Sequence, residues 1–178
     1  MLIHTPTIYH TGTHLLIDHV LRRHELFRHG SGNHHVHWHL DRISDLGDAT
    51  GGSFRFSCLR HPRRVAESWK RRLPNNPTRT IDEFNYEWDR MINFYHPTMS
   101  AYIHPDHECR DEDVARMATL TGLDLTCEWP VGKRSGAMKN TVGIGLDMCP
   151  EVPQEFIDFY YETIDPGTIA GVSDSDTS

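Results

Sequence analysis

Two side chains in this sequence have the types and the spacing needed to bind a phosphate-like anion. Arg60 stands eight positions before Ser68. An arginine presents a planar fork that matches the oxygens of a phosphate group, and a serine hydroxyl adds a short donor. An arginine paired at the surface and a serine bonded within its own helix are the simpler interpretation of each residue alone. The interpretation of Arg60 and Ser68 as an anion-binding pair therefore depends on the other candidate residues in the chain.

A second candidate is the stretch His10-Thr11-Gly12-Thr13-His14, which follows a short apolar run. Gly12 permits a positive φ and has no Cβ, so the amides of residues 11–14 can converge above a helix N-terminus, where the helix dipole adds positive potential. The stretch therefore predicts an anion-binding turn between a strand and a helix. It lacks the lysine of the nucleotide P-loop, and an ordinary turn with Thr11 or Thr13 as the N-cap is the alternative.

Histidines form the third candidate group. His35, His37 and His39 occupy every second position of residues 34–40, which indicates a strand with three imidazoles on one face, roughly 6.5 Å apart. Imidazoles so arranged, with His10 or His14 nearby, could bind zinc. One of them could equally serve as a general base, because its pKa lies near working pH.

Composition restricts the class of ligand. The 178 residues carry a net charge of −7, yet nine of the 18 lysines and arginines lie within residues 60–72 and 133–139. An acidic chain with its cations gathered in two places favours a compact anion and argues against a nucleic-acid partner. We expect one domain over residues 1–165, followed by a disordered tail over 166–178.

Compartment can be inferred from the cysteines and the apolar runs. The four cysteines have no C-x-x-C spacing, which favours reduced thiols and a cytoplasmic location. No apolar run approaches the ~20 residues of a membrane span, and the N-terminus lacks the pattern of a secretory signal. We therefore expect no membrane partner.

Strand and helix patterns alternate along the chain. Buried or alternating runs predict strands, and residues with a shared apolar face predict helices. The strands are expected at 1–5, 34–40, 53–59 and 99–103, and the helices at 13–29, 62–73, 80–95, 111–121 and 151–164. This alternation predicts an α/β fold in three layers, with a mainly parallel sheet flanked by helices and the ligand at the carboxyl ends of the strands.

These residues, in this order, resemble the motifs of the cytosolic-type sulfotransferases that use 3'-phosphoadenosine-5'-phosphosulfate. Residues 10–15 resemble the loop K-S-G-T-T-W, and residues 37–40 resemble the strand K-T-H-L. Arg60-His61-Pro62 followed by Ser68 resembles R-x-P with a serine eight residues after the arginine. Residues 135–140 resemble the second half of R-K-G-x-x-G-x-W-K-N. The similarity covers nearly the whole chain.

The resemblance implies a P-loop NTPase-like fold, a sulfuryl donor as cosubstrate, a hydroxyl or amine acceptor and no required metal. It implies that His39 is the catalytic base, and that His10 and His37 stand where the family has catalytic lysines. The loop residues Thr11, Gly12, Thr13 and His14 would then bind the 5'-phosphosulfate. The 3'-phosphate and adenine would fall to Arg60, Ser68, Arg134, Lys139 and Asn140.

Three other functions fit parts of the pattern. A P-loop kinase is disfavoured by the missing Lys-[Ser/Thr] pair, and a histidine-rich metal protein leaves Arg60, Ser68 and Lys139 unexplained. A relative that binds the nucleotide without catalysis is suggested by His10, which replaces the loop lysine. The acceptor stays open among carbohydrates, phenols or alcohols, lipids and protein tyrosines, and the sequence does not predict the oligomeric state.

Overall fold

The computed structural model describes residues 1–28, 35–38, 53–72, 81–129 and 152–164. Within these ranges four strands form one parallel sheet in the order β2-β1-β3-β4. The strands are β1 (Leu2–Thr5), β2 (His35–Trp38), β3 (Ser53–Cys58) and β4 (Ala101–Ile103). The four predicted strands are thus confirmed. The observed β1, β3 and β4 are one or two residues shorter than predicted, and residues 34, 39 and 40 of the second predicted strand lie outside the described ranges.

The order of the strands places a reversal in the middle of the sheet. From β1 the chain moves outward to β2, and it then returns to the other side of β1 to form β3 and afterwards β4. The crevice at the carboxyl ends of β1 and β3 is therefore a topological switch point, where open α/β sheets bind their ligands.

The first helical region is broken, whereas a single helix over 13–29 was expected. It consists of α1 (Thr13–His19), a 3₁₀ turn over Leu21–Arg23 and α2 (Glu25–Arg28). α1 ends at His19, with Val20 as its C-cap residue. A second break occurs at His24, which has an extended backbone and whose Nδ1 accepts a hydrogen bond from the amide of Leu26. Because this side chain caps α2, it competes with continuation of the 3₁₀ turn.

The remaining helices follow the predicted pattern more closely. They are α3 (Pro62–Arg72), α4 (Ile81–Arg90), α5 (Arg110–Thr121) and α6 (Gln154–Ile164). The helix expected over 80–95 changes at Met91 into a π-helical turn, Met91–Tyr95, followed by a 3₁₀ turn, His96–Thr98. Gly122, with φ 66°, ends α5.

Helices cover both faces of the sheet. In β4, Ala101 and Ile103 belong to a core cluster with Leu16 of α1 and Met117 of α5. Tyr102, which points to the opposite face, belongs to a second cluster formed by α3, α4 and α6, with the buried residues Trp69, Trp88 and Phe156. The α/β class with layers of helices about a parallel sheet is confirmed.

Several predictions fall on residues that lie outside the described ranges, among them the tail over 166–178 and the irregular segment beyond 129. Among the described helices, none has both the length and the apolar composition required to cross a membrane.

The structure predicts unequal costs for adding a methyl group at its two left-handed glycines. A Cβ on Gly12 would lie 3.0 Å from Cys58 Sγ, whereas a Cβ on Gly122 would meet nothing within 4 Å. Gly122→Ala should cost only backbone strain, about 1–2 kcal/mol, and Gly12→Ala should cost about 1 kcal/mol more because it adds a steric contact. Urea unfolding of both variants measures the difference. Equal losses would show that the approach of Gly12 to Cys58 is not tight.

Candidate functional site

The turn after β1 and the residues after β3 meet at the switch point. The position that a Cβ of Gly12 would occupy lies 3.8 Å from Cδ of Arg60 and 3.6 Å from Cγ of Pro105. Gly12 follows β1, Arg60 follows β3 and Pro105 follows β4, so three strand ends contribute. We call Ile8–Thr13 the Gly12 turn, and the Gly12 turn with Arg60 and Asp106 the switch-point site.

The Gly12 turn has an unusual backbone conformation that its own side chains stabilise. Gly12 has φ 106°, and His10 has φ 69°, a value that non-glycine residues seldom adopt. The hydroxyl of Thr11 donates to the carbonyl of Ile8 at 2.7 Å, and Cys58 Sγ donates to the carbonyl of Thr11 at 3.3 Å. Thr11 is fully buried, so its hydroxyl closes the turn.

The N-terminus of α1 has the form expected of an anion-binding turn. Gly12 is the N-cap residue and its carbonyl accepts from the amides of Leu15 and Leu16. No side chain among the described residues caps the helix, so the alternative with Thr11 or Thr13 as a side-chain N-cap is wrong. The amides of Thr13 and His14 precede the first bond within the helix and are directed out of its end.

Two helices fix the other side of the turn. Trp69 of α3 donates from Nε1 to the carbonyl of Tyr9 at 3.1 Å, and its ring lies 6.0 Å from the ring of His10. The amide of Tyr9 donates to Glu87 of α4 at 2.9 Å. The ring of His10 therefore lies beside the ring of Trp69, next to the switch-point site.

Arg60 is held in a buried ion pair that the sequence did not reveal. Its side chain is 8% exposed, and its Nε donates to Asp106 Oδ2 at 2.9 Å. Arg64 of α3 lies 3.7 Å from the same carboxylate oxygen. Nη2 of Arg60 is buried and has no hydrogen-bond partner among the described residues. One edge of the guanidinium is thus bound to carboxylate and another keeps unused donors.

The other predicted site residues are dispersed. Ser68 is buried in α3, and Thr13 is half-buried at the start of α1. His14 is exposed, with its Nδ1 3.3 Å from Asp18 Oδ2. His37 lies in β2 opposite His4 of β1. The residues His39, Arg134, Lys139 and Asn140 fall outside the described ranges.

His61, the middle residue of the R-x-P motif, lies directly before α3. Its ring packs 5.3 Å from the ring of Tyr160 and 5.8 Å from that of Tyr161, both on α6. Burial lowers the pKa of His61, and the charges of Arg63 and Arg64 lower it further. The motif therefore anchors α3 to α6 as well as placing Arg60.

A separate group of side chains could hold a metal. The ligand atoms of His104, Cys109 and Asp113 lie within 4.8 Å of one another, where β4 leads into α5. This group combines nitrogen, sulfur and oxygen donors of the kind that zinc accepts. The alternating histidines of residues 34–40, which the sequence suggests as zinc ligands, do not include it.

The lowered pKa of His61 predicts a stability that falls in acid. The unfolded chain takes up a proton near pH 6.5 more readily than the folded protein, so the contribution of His61 is complete above that pH and is lost as the pH falls through the lowered value. His61→Gln should reduce the pH dependence of the free energy of unfolding between pH 7 and pH 5. The reduction should be partial, because His96, whose pKa is also lowered, remains. Urea unfolding at several pH values measures it, with His14→Gln as the exposed control. An unchanged slope in His61→Gln would contradict the assignment.

Comparison with known proteins adds no assignment. The chain matches no family model, no curated protein and no solved structure. The function is therefore inferred from the residues at the switch point.

Proposed function

We propose that this chain is a sulfotransferase that moves a sulfuryl group from 3'-phosphoadenosine-5'-phosphosulfate to a hydroxyl or amine acceptor. One observation carries the proposal: the Gly12 turn and Arg60, which stand in two separate motifs, meet at one point. Arg60 Cδ lies 3.8 Å from the position of a Cβ on Gly12. Two predicted anion-binding elements 48 positions apart are thus neighbours at the end of the sheet.

The topology supports a P-loop NTPase-like fold of the sulfotransferase kind. The turn joins a central strand, β1, to a helix, α1, and a neighbouring parallel strand, β3, leads into the arginine. In this fold class an anion at such a turn is bound by backbone amides and the helix dipole. The sheet order favours the same crevice for the ligand.

The Gly12 turn would bind the 5'-phosphosulfate. The amides of Thr13 and His14 are directed out of α1, and His10 lies at the mouth of the crevice beside Trp69. Sulfuryl transfer requires positive groups where charge builds on the leaving phosphate oxygen. A protonated His10 would supply that charge in place of the lysine of the family motif.

Arg60 would bind the 3'-phosphate through the edge of its guanidinium that includes Nη2. Asp106 already occupies Nε and holds the fork in a fixed orientation. The same carboxylate repels a phosphate, so it lowers the affinity that Arg60 alone would give. Arg64, which lies close to Asp106, offsets part of that repulsion. We assign Ser68, Arg134, Lys139 and Asn140 to the same nucleotide on the basis of the motifs.

The chemistry needs an in-line attack and a base. The acceptor oxygen forms a bond to sulfur while the bond between sulfur and the 5'-phosphate oxygen breaks, and His39 takes the proton of the acceptor hydroxyl. His37 would lie beside it on β2. The products are the sulfated acceptor and 3'-phosphoadenosine-5'-phosphate. The described cysteines Cys58, Cys109 and Cys127 are free thiols, which suits the cytoplasmic location that we propose.

The ion pair at Arg60 allows a test of the nucleotide. Asp106→Asn removes the competing charge and should strengthen binding of 3'-phosphoadenosine-5'-phosphate by roughly 3- to 10-fold. In that background Arg60→Met should weaken binding by roughly 10- to 100-fold, because a charge-assisted contact is lost while no buried charge is left unpaired. Titration calorimetry measures both, with adenosine 5'-phosphate as the ligand that lacks the 3'-phosphate.

Adenosine 5'-phosphate should show little change across these variants, because it lacks the group that Arg60 contacts. Arg22→Ala, at an exposed arginine paired with Asp18, is the control for loss of a positive charge. If the wild-type protein binds the two nucleotides with equal affinity, the sulfotransferase assignment fails.

His10 predicts a pH profile that a lysine would not give. An imidazole loses its proton around pH ~6.5 and a lysine around ~10.4, while His39 must be neutral to act as a base. Activity should therefore be bell-shaped, and His10→Lys should move the alkaline limb upward and leave the acid limb in place. The measurement is kcat against pH with saturating cosubstrate and an acceptor found by screening. His10→Asn, which tolerates the left-handed backbone, should lose most activity. An alkaline limb unmoved in His10→Lys would remove His10 from this role.

A further inference from the structure

Four polar side chains gather where β4 runs into α5, on either side of the two residues, Pro105 and Asp106, that reach the switch-point site. His104 and Asp113 are fully buried, and His107 and Cys109 are partly exposed. Asp113 Oδ2 lies 2.9 Å from His104 Nδ1 and 3.7 Å from Cys109 Sγ. His107 Nδ1 lies 3.0 Å from the same sulfur. The sulfotransferase proposal uses none of these side chains.

The positions of protons in this group follow from its hydrogen bonds. Thr163 Oγ1 lies 2.8 Å from the carbonyl of Tyr160 and 2.9 Å from His104 Nε2. A hydroxyl has one proton, so both contacts are hydrogen bonds only if Thr163 donates to Tyr160 and accepts from a protonated Nε2. With Nε2 protonated, a neutral His104 presents a lone pair at Nδ1.

That lone pair faces a carboxylate oxygen. His104 Nδ1 and Asp113 Oδ2 are 2.9 Å apart, and two acceptors at that distance repel unless a positive charge lies between or beside them. Asp113 also has a second oxygen, Oδ1, that is buried without a hydrogen-bond partner among the described residues and lies 3.8 Å from Arg116. A contact of this length therefore needs a proton or a metal ion between Nδ1 and Oδ2.

We propose that His104 Nδ1, Cys109 Sγ and a carboxylate oxygen of Asp113 form a binding site for a divalent metal of the zinc type. A thiolate and a carboxylate together carry two negative charges, which a divalent ion neutralises in this buried position. Tetrahedral zinc separates such ligands by roughly 3.3–3.7 Å. The sulfur and oxygen lie 3.7 Å apart, the nitrogen and oxygen 2.9 Å, and all three ligand atoms within 4.8 Å of one another, so adjustments of about an ångström bring them to these separations.

The surroundings of the site match those of metal ligands in proteins. A histidine ligand ordinarily donates its second ring N–H to a neighbouring acceptor, which fixes the ring, and His104 has this contact with Thr163 of α6. Binding breaks the S–H bond of Cys109 and forms a metal–sulfur bond. The proton can leave through His107, whose Nδ1 lies beside the sulfur and which is partly exposed.

Cysteine binds a metal ion as the thiolate, so metal binding at neutral pH should release the thiol proton of Cys109, and affinity should increase with pH. The ion would join the end of β4, the start of α5 and, through Thr163, α6. This role is structural and independent of sulfuryl transfer.

Cobalt titration of the full chain tests the site. The protein is prepared without a histidine tag, stripped with a chelator and titrated with Co²⁺, which gives thiolate-to-cobalt charge-transfer absorption when a cysteine binds it. We expect one Co²⁺ with this absorption, displaced by Zn²⁺. Cys109→Ser should abolish the charge-transfer absorption and weaken Zn²⁺ binding by at least ~10-fold. Cys127→Ser, at another partly exposed cysteine, should leave both unchanged.

A second pair of variants tests the geometry through Thr163. Thr163→Val should weaken Zn²⁺ binding by ~10- to 100-fold, and Thr163→Ser should restore it, because only the hydroxyl contact to His104 differs. Three results would overturn the proposal. The first is that no Co²⁺ binds, and the second is that charge-transfer absorption persists in Cys109→Ser. The third is Co²⁺ binding that gives no charge-transfer absorption and that disappears when His35 and His37 are replaced by glutamine.

Discussion

The close approach of the Gly12 turn to the ends of β3 and β4 is the constraint on which the site depends. Cys58 Sγ lies 3.0 Å from the point where a side chain at position 12 would begin, and it donates to the carbonyl of Thr11. A glycine is required there by both space and φ. Because the turn contacts the end of β3, the start of α1 and the side chain of Arg60 lie at the same edge of the sheet.

The ion pair between Arg60 and Asp106 at this edge of the sheet has a cost in lost hydration. Arg60 and Asp106 are both nearly inaccessible to solvent, so each charge has given up hydration and needs the other. Removing Asp106 would leave the charge of Arg60 buried without its partner, a loss of about 3–5 kcal/mol, whereas Asp106 without Arg60 would still have Arg64 at 3.7 Å. The pair therefore fixes the orientation of the guanidinium before any ligand arrives. If Arg60 binds the proposed anion, its fixed orientation favours selectivity, and the neighbouring carboxylate weakens the attraction.

Much of the fold could be predicted because its information is local. Alternation marked the strand over 34–40 and short apolar runs marked the others, and Gly12 and Gly122 marked turns that do have positive φ. The break at His24 could not be predicted, because it depends on an imidazole that caps the following helix. Asp106 was missed because its partner Arg60 is 46 positions away and no periodic pattern joins them. The left-handed backbone of His10 has no sequence marker either.

The spacing of His104, His107, Cys109 and Asp113 was visible in the sequence, but cysteines without C-x-x-C spacing were interpreted as unconnected thiols.

The segment between β4 and α5 connects the two regions of interest. Pro105 packs against the Gly12 turn and Asp106 binds Arg60, while His104 before them and His107 and Cys109 after them belong to the other group. A fixed His104 and Cys109 restrict the four residues between them, so the position of Asp106 depends on contacts on both sides. A cation held by His104 and Asp113 would thus stabilise the arrangement of the switch-point site without contacting its ligand. The orientation of the Arg60 side chain therefore depends on the loop between β4 and α5, whose two ends are fixed by these contacts.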